Sequence, residues 1–211
     1  MTPRLLLASL ALCIALAAPA RAQTGLGAAL GDLETVQPED APLAANASVK
    51  DRQERLDRLF DRLAGAKTPE DAKRYEASID EIWGHSGSDT ADLLTLRAVD
   101  LVAGEDQAGA LKLLEAALQA RPDYAEGWNK RATLFFLRGD YPSAMSAIRE
   151  TLKLEPRHYG AWAGLGRILQ QTGDNKRALD AYRRALAIHP WLDGLKDEVK
   201  TLSTKLRGEE L

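Results

Sequence analysis

Residues 125–156, AEGWNKRATLFFLRGDYPSAMSAIRETLKLEP, decide the fold of this chain, because the same arrangement returns at 159–190 as YGAWAGLGRILQQTGDNKRALDAYRRALAIHP. A third copy starts at Ala91, and Pro122, Pro156 and Pro190 close the three copies at intervals of 34 residues. Self-similarity at a period of about 20–50 residues marks an array of stacked helical or strand units.

With frames starting at Ala91, Ala125 and Tyr159, the fourth position holds Leu94, Trp128 and Trp162. The seventh and eighth hold Arg97-Ala98, Arg131-Ala132 and Leu165-Gly166, and the eleventh Leu101, Phe135 and Leu169. Large, small, large at helical spacing predicts one apolar face on a first helix. The twentieth position is Ala110, Ala144 and Ala178, the twenty-fourth Leu114, Ile148 and Tyr182, the twenty-seventh Ala117, Thr151 and Ala185. These predict a second helix crossing the first. Helix axes approach to about 8–10 Å only where the crossing side chains are short, which assigns the crossings to Ala98/Ala110, Ala132/Ala144 and Gly166/Ala178. Between the helices stand Gly104-Glu105-Asp106, Gly139-Asp140 and Gly173-Asp174: glycine for a left-handed turn, aspartate to cap the second helix. Asp123-Tyr-Ala-Glu126 has the spacing of a capping box.

On these residues the chain resembles the tetratricopeptide repeat family, whose pattern runs Trp, Leu-Gly, Tyr, Ala, Phe, Ala, Pro, over roughly 89–191. Leu94, Arg97 and Arg131 depart from it, although an arginine stem can still cover apolar surface. The resemblance implies an all-α fold, an α-solenoid of three repeats at 89–122, 123–156 and 157–190. Residues 191–207 keep the apolar spacing of a first helix through Trp191, Leu195, Val199 and Leu202, and are expected to cap the array, since a terminal repeat needs a polar outer face.

Upstream, residues 49–84 predict a helical hairpin. Leu56, Leu59, Phe60 and Leu63 form one face, Thr68-Pro69 starts a second helix, and Tyr75, Ile79, Ile82 and Trp83 point inward. The hairpin is expected to stack as a cap on the N-terminal side of the array. A dimeric coiled coil through Val49, Leu56, Leu59 and Leu63 is the alternative, with fewer heptads than such a structure needs.

Residues 5–18, LLLASLALCIALAA, follow Arg4 and precede Ala20-Arg-Ala22. So short an apolar run reads as a signal peptide over 1–22, cleaved before Gln23, leaving no membrane span; an uncleaved anchor and a lipoprotein at Cys13 are the alternatives. Cleavage removes the sole cysteine, so no disulfide can staple the mature chain. The Ala-, Leu- and Arg-rich composition points to a bacterial periplasm, and the chain resembles secreted bacterial members of the family. Residues 23–48, rich in Gly, Ala, Pro and acid, read as a disordered tether. The net charge of −3 and isoelectric point near 5.7 argue against a nucleic-acid partner.

No catalytic, cofactor or metal site is expected. His85, His158 and His189 sit at helix boundaries without metal-ligand spacing, and the contiguous His85-Ser86-Gly87-Ser88-Asp89 cannot converge as a hydrolase triad does. In a stack of this family the first helices line a concave groove. Its walls would be Asp92, Thr95, Leu96, Val99, Val102 and Ala103; Glu126, Asn129, Lys130, Thr133, Phe136 and Leu137; and Gly160, Ala163, Gly164, Arg167, Gln170 and Gln171. The candidate protein-binding residues are Leu96, Val99, Asn129, Lys130, Thr133, Phe136, Arg167, Gln170 and Gln171. Asn129, Lys130 and Arg167 do not fall where the chaperone-binding branch of the family grips a terminal carboxylate. The expected role is a periplasmic scaffold holding an envelope protein or peptide, in support of envelope integrity. The alternative is a chaperone or adaptor for export or cytochrome c maturation.

Overall fold

A computed structural model describes residues 48–209. The expected signal peptide, and all of the expected tether except Ser48, lie outside these residues. The described residues form α1 (Val49–Ala64), α2 (Pro69–Gly84), α3 (Asp89–Ala103), α4 (Gln107–Ala120), α5 (Ala125–Leu137), α6 (Tyr141–Leu154), α7 (Tyr159–Gln171), α8 (Asn175–Ile188) and α9 (Leu195–Glu209), with no strand among them.

Side-chain caps set most helix starts. Thr68 and Ser88 cap α2 and α3, and Asp106, Asp140 and Asp174 cap α4, α6 and α8 by accepting the N–H three residues on. The capping box sits at Ser48 and Asp51 on α1, not at Asp123–Glu126. Tyr124 precedes α5 with no side-chain cap, Asp123 pairs with Arg121 at 3.0 Å, and Glu126 is engaged elsewhere. A second correction concerns the first turn. Gly139 (φ 73°) and Gly173 (φ 86°) are left-handed, but in the leading pair Glu105 takes that conformation (φ 64°) while Gly104 has φ −86°. The 34-residue register places Glu105, not Gly104, opposite the two glycines.

The pairs α3/α4, α5/α6 and α7/α8 cross on the predicted small residues. Ala98, Ala110, Ala132, Ala144 and Ala178 are buried, and a Cβ on Gly166 would stand 2.4 Å from the Tyr182 ring. Glycine is required there because Tyr182 replaces the Leu114 and Ile148 of the other pairs. Trp128 and Trp162 each donate their indole N–H at 2.9 Å to the carbonyl of the preceding closing proline, Pro122 or Pro156. The guanidinium of Arg131 lies over the Trp128 and Phe135 rings, 5.5 and 4.8 Å from their centroids, so this departure from the repeat pattern still covers apolar surface. Leu195 and Leu202 of α9 are buried against α8.

The hairpin is the largest correction. Leu56, Leu59, Phe60 and Leu63 pack on Ala72, Ile79, Ile82 and Trp83 within it, so three of the four residues of the alternative coiled-coil seam are consumed internally, while Val49 is exposed. Its core also takes Tyr159, Ile188, Trp191 and Leu192, whereas the buried cluster of α3 and α4 includes no α1 or α2 residue. Rather than stacking beneath α3, α2 runs along the turns that join one helix pair to the next. Glu76 faces His189, Asp80 accepts the Tyr159 hydroxyl at 2.7 Å, Trp83 stacks on His158 at 4.2 Å, and the Gly84 carbonyl accepts the Tyr124 hydroxyl at 2.9 Å. The physical reason is surface. The turns present aromatic and imidazole rings, while the leading side of α3 presents exposed Arg97 between Leu94 and Leu101.

Candidate protein-binding groove

The first helices α3, α5 and α7 line a groove that α2 bounds along one rim. Three adjoining cavities occupy it. One of about 390 Å³ lies between Asp80, Asp92, Thr95, Leu96, Glu126 and Lys130. A second, of about 330 Å³, lies over Thr133, Phe136, Ala163, Gly164 and Arg167. The third, of about 340 Å³, is walled by Val99, Val102, Leu134 and Leu137. Val99 and Lys130 border both the first and the third, Asn129 and Gly160 the first and second, and Thr133 the second and third, so the three form one track.

Its polar centre is Glu126. One carboxylate oxygen accepts from His158 Nε2 at 2.9 Å and Asn129 Nδ2 at 3.0 Å; the other meets Lys130 Nζ at 2.8 Å. His158 Nδ1 accepts the Ala161 N–H at 3.1 Å and so caps α7. That acceptance places the ring proton on Nε2, the atom facing Glu126. Burial pushes the Glu126 carboxyl up, but the hydrogen bond from His158 and the adjacent ammonium of Lys130 more than reverse it and bring it down to about 2. Burial, then the charges of Glu126 and Asp92, hold the Tyr124 phenol well above its usual range.

The structure places most predicted groove residues on these walls. Leu96, Val99, Asn129 and Lys130 border the first cavity, and Thr133, Phe136 and Arg167 the second. Phe136 is half-buried and packs on Tyr141 with ring centroids 5.8 Å apart. Gln170 and Gln171 line none of the three. Gln170 accepts the Tyr182 hydroxyl at 2.7 Å and donates to Glu198 of α9. It therefore fastens α9 to α7 and is removed from the candidate set; Gln171 is exposed beyond the cavities. A Cβ on Gly160 or Gly164 would make only ordinary contacts, at 3.4 Å or more, so packing does not demand glycine at either. Asp80 is not legible in the sequence because α2 reaches the groove only through the tertiary fold, and Tyr124, His158 and Tyr159 stand at or just before the starts of α5 and α7, outside the groove positions of the repeat. The one signal was the recurrence of large rings, Tyr124 and His158, at the same position of successive repeats.

Among the described residues, no group of three or more His, Cys, Asp and Glu is arranged to hold a metal ion. A profile of the tetratricopeptide repeat matches residues 95–153 and again 138–190. A TPR repeat-containing protein of Rhizobium etli is 41% identical over 103 residues, which are 49% of this chain and 50% of that protein. The chain thus matches about half the length of this relative. Among solved structures, the TPR domain of Sgt2 from Aspergillus fumigatus is similar with a TM-score of 0.55 at 21% identity, covering 58% of this chain and 83% of that one. The first TPR of Spaghetti (RPAP3), bound to an HSP90 peptide, gives 0.54 at 18% identity, covering 57% and 95%. TPR2B of yeast Sti1, in complex with an Hsp70 peptide, gives 0.51 at 17%, covering 58% and 99%. The repeat-bearing part of this chain belongs to the tetratricopeptide repeat family.

Proposed function

We propose that this protein is a non-catalytic interaction scaffold that holds an extended segment of another protein in the groove of α3, α5 and α7. The observation that carries this reading is where the exposed apolar side chains lie. Leu96, Val99 and Leu137 are 61, 45 and 53% exposed, and all three stand on the groove wall between α3 and α5. Clustered apolar exposure of this kind marks interaction sites on soluble proteins, and cavities with polar groups beside them suit a peptide with alternating side chains. The peptide complexes of the RPAP3 and Sti1 domains support the same reading by analogy of fold. In the finer reading α3–α8 are three repeats closed by α9, and the partner is a periplasmic envelope protein reached after cleavage before Gln23.

Site-specific photo-crosslinking in cells tests it. A photoreactive residue at Leu96 or Val99 is expected to form a discrete adduct, and one at exposed Arg149 on α6 is not. Adducts from both faces alike, or from neither, overturn the groove as the binding surface. N-terminal sequencing of the protein is expected to begin at Gln23, and recovery of the intact leader would refute the cleavage.

A further inference from the structure

We infer that the first cavity receives a cationic side chain, arginine or lysine, from the segment bound in the groove, with an aliphatic side chain of the same segment in the adjoining third cavity. The inference rests on the groove reading above and adds the chemistry of the ligand. Three carboxylates border the first cavity, Asp80, Asp92 and Glu126, against one lysine. Lys130 and His158 both address Glu126. Asp80 is met by a neutral donor, the Tyr159 hydroxyl. Asp92 takes the Ser86 N–H at 2.8 Å and lies 3.4 Å from exposed His85. The one lysine is therefore paired with one of the three carboxylates, and the cavity keeps a negative excess.

A second and independent feature points to a donor-rich ligand. Thr95 borders the same cavity, is only 6% exposed, and its hydroxyl makes no hydrogen bond of normal geometry, only a looser contact with the Tyr124 phenol. The neighbouring phenol of Tyr124 gives its proton to the Gly84 carbonyl. A ligand N–H reaching the lone pairs of the Thr95 hydroxyl would supply the donor it lacks. Asn129 donates its amide to Glu126, which leaves its carbonyl oxygen free to accept. A guanidinium carries five N–H donors and no acceptor, matching acceptors on Asp80, Thr95 and Asn129.

The field in the cavity has the sign this requires. Burial, then the charges of Asp80, Glu76 and Glu126, hold the Tyr159 phenol far above its usual range. Burial raises the Asp80 carboxyl, the Tyr159 hydrogen bond opposes this, and Glu126 and Glu76 add to the rise. Beside it, the third cavity offers Val102, Leu134 and Leu137 and shares Val99 with the first. An aliphatic residue near the cation is thereby specified.

The test is a random peptide library displayed on phage and panned on the full chain, followed by resynthesis of the selected peptide. The selected sequences are expected to place Arg or Lys within a few residues of Leu, Ile, Val or Phe. Replacing the arginine by neutral, near-isosteric citrulline should weaken binding about tenfold or more, as for loss of a charge-assisted hydrogen bond. Asp80→Asn keeps an oxygen for Tyr159, and should weaken the arginine peptide comparably while leaving the citrulline peptide unchanged. A consensus without a cation, or equal binding of both peptides, overturns the inference; the groove reading survives if Leu96→Ser with Val99→Ser still abolishes binding. Failure to select any peptide, or selected peptides indifferent to those two serines, overturns the groove reading and the inference together.

Discussion

The first and third helix pairs are built on one 34-residue template and use it in opposite ways. In α7/α8, Trp162 ties back to Pro156, Gly166 admits the Tyr182 ring, and α9 covers the outer side through Leu195 and Leu202. The α2 rim adds Trp83 and Asp80 at the start of α7. In α3/α4, Leu94 has no indole to donate, Glu105 sits in a left-handed turn, Arg97 is exposed, and Leu93, Leu96 and Val99 face solvent. One pair is anchored on several sides; the other leaves apolar side chains exposed. Repetition thus fixes the backbone, and the departures from it divide anchoring from recognition.

The contrast breaks most severely at Trp83, which joins the hairpin to the third pair. Trp83→Ala removes a buried indole from the Phe60, His158 and Tyr159 cluster and should cost about 3–5 kcal/mol, read by denaturant unfolding. Gly166→Ala comes next. The new methyl collides with Tyr182 and should destabilise by about 1–3 kcal/mol, whereas Gly164→Ala in the same helix should be neutral or stabilise by up to about 1 kcal/mol. Adding Tyr182→Leu restores the Ala/Leu combination of the first pair and should recover most of the Gly166→Ala loss; no recovery would show that the glycine serves something other than this contact.

Acid should act on the link between the second and third pairs. The folded Glu126 carboxyl lies near 2, below its ordinary 4.5, so its contribution is present above about pH 4.5 and is lost as pH falls toward 2. Melting temperature measured from pH 5 to 2 should therefore fall less steeply in Glu126→Gln than in the parent chain. The smallest effect is expected at the leading turn: Glu105→Gly puts the residue of the other two turns at a left-handed position and should stabilise by up to about 1 kcal/mol. A loss of stability there would mean that the side chain has a role beyond the turn.

Much of this molecule is legible from residue spacing. The alanines at the crossings, the aspartate caps, the Trp128 and Trp162 positions and most of the groove wall follow from helical periodicity, because each is decided within one repeat or between neighbours. Glu126 shows where such reading ends. Its spacing from Asp123 suggests a cap, yet the carboxylate turns to His158, 32 residues along the chain, since a buried carboxylate is better satisfied by imidazole and ammonium donors than by a solvent-exposed cap. Gln170 likewise occupies a groove position by register, but Tyr182 and Glu198 draw it to α9.

The sequence alone determined that the chain repeats every 34 residues, that its repeats are helical pairs, and that a separate hairpin precedes them. Local periodicity and capping suffice for that, because they act over a few turns of helix. Only the tertiary structure decided where the hairpin goes. Its apolar face could cover either the end of the array or its edge, and the choice fell to rings at three turns far apart in the chain. That docking supplies Asp80 and the Tyr159 contact to the groove, so the electrostatics of the binding surface are a property of the assembled fold.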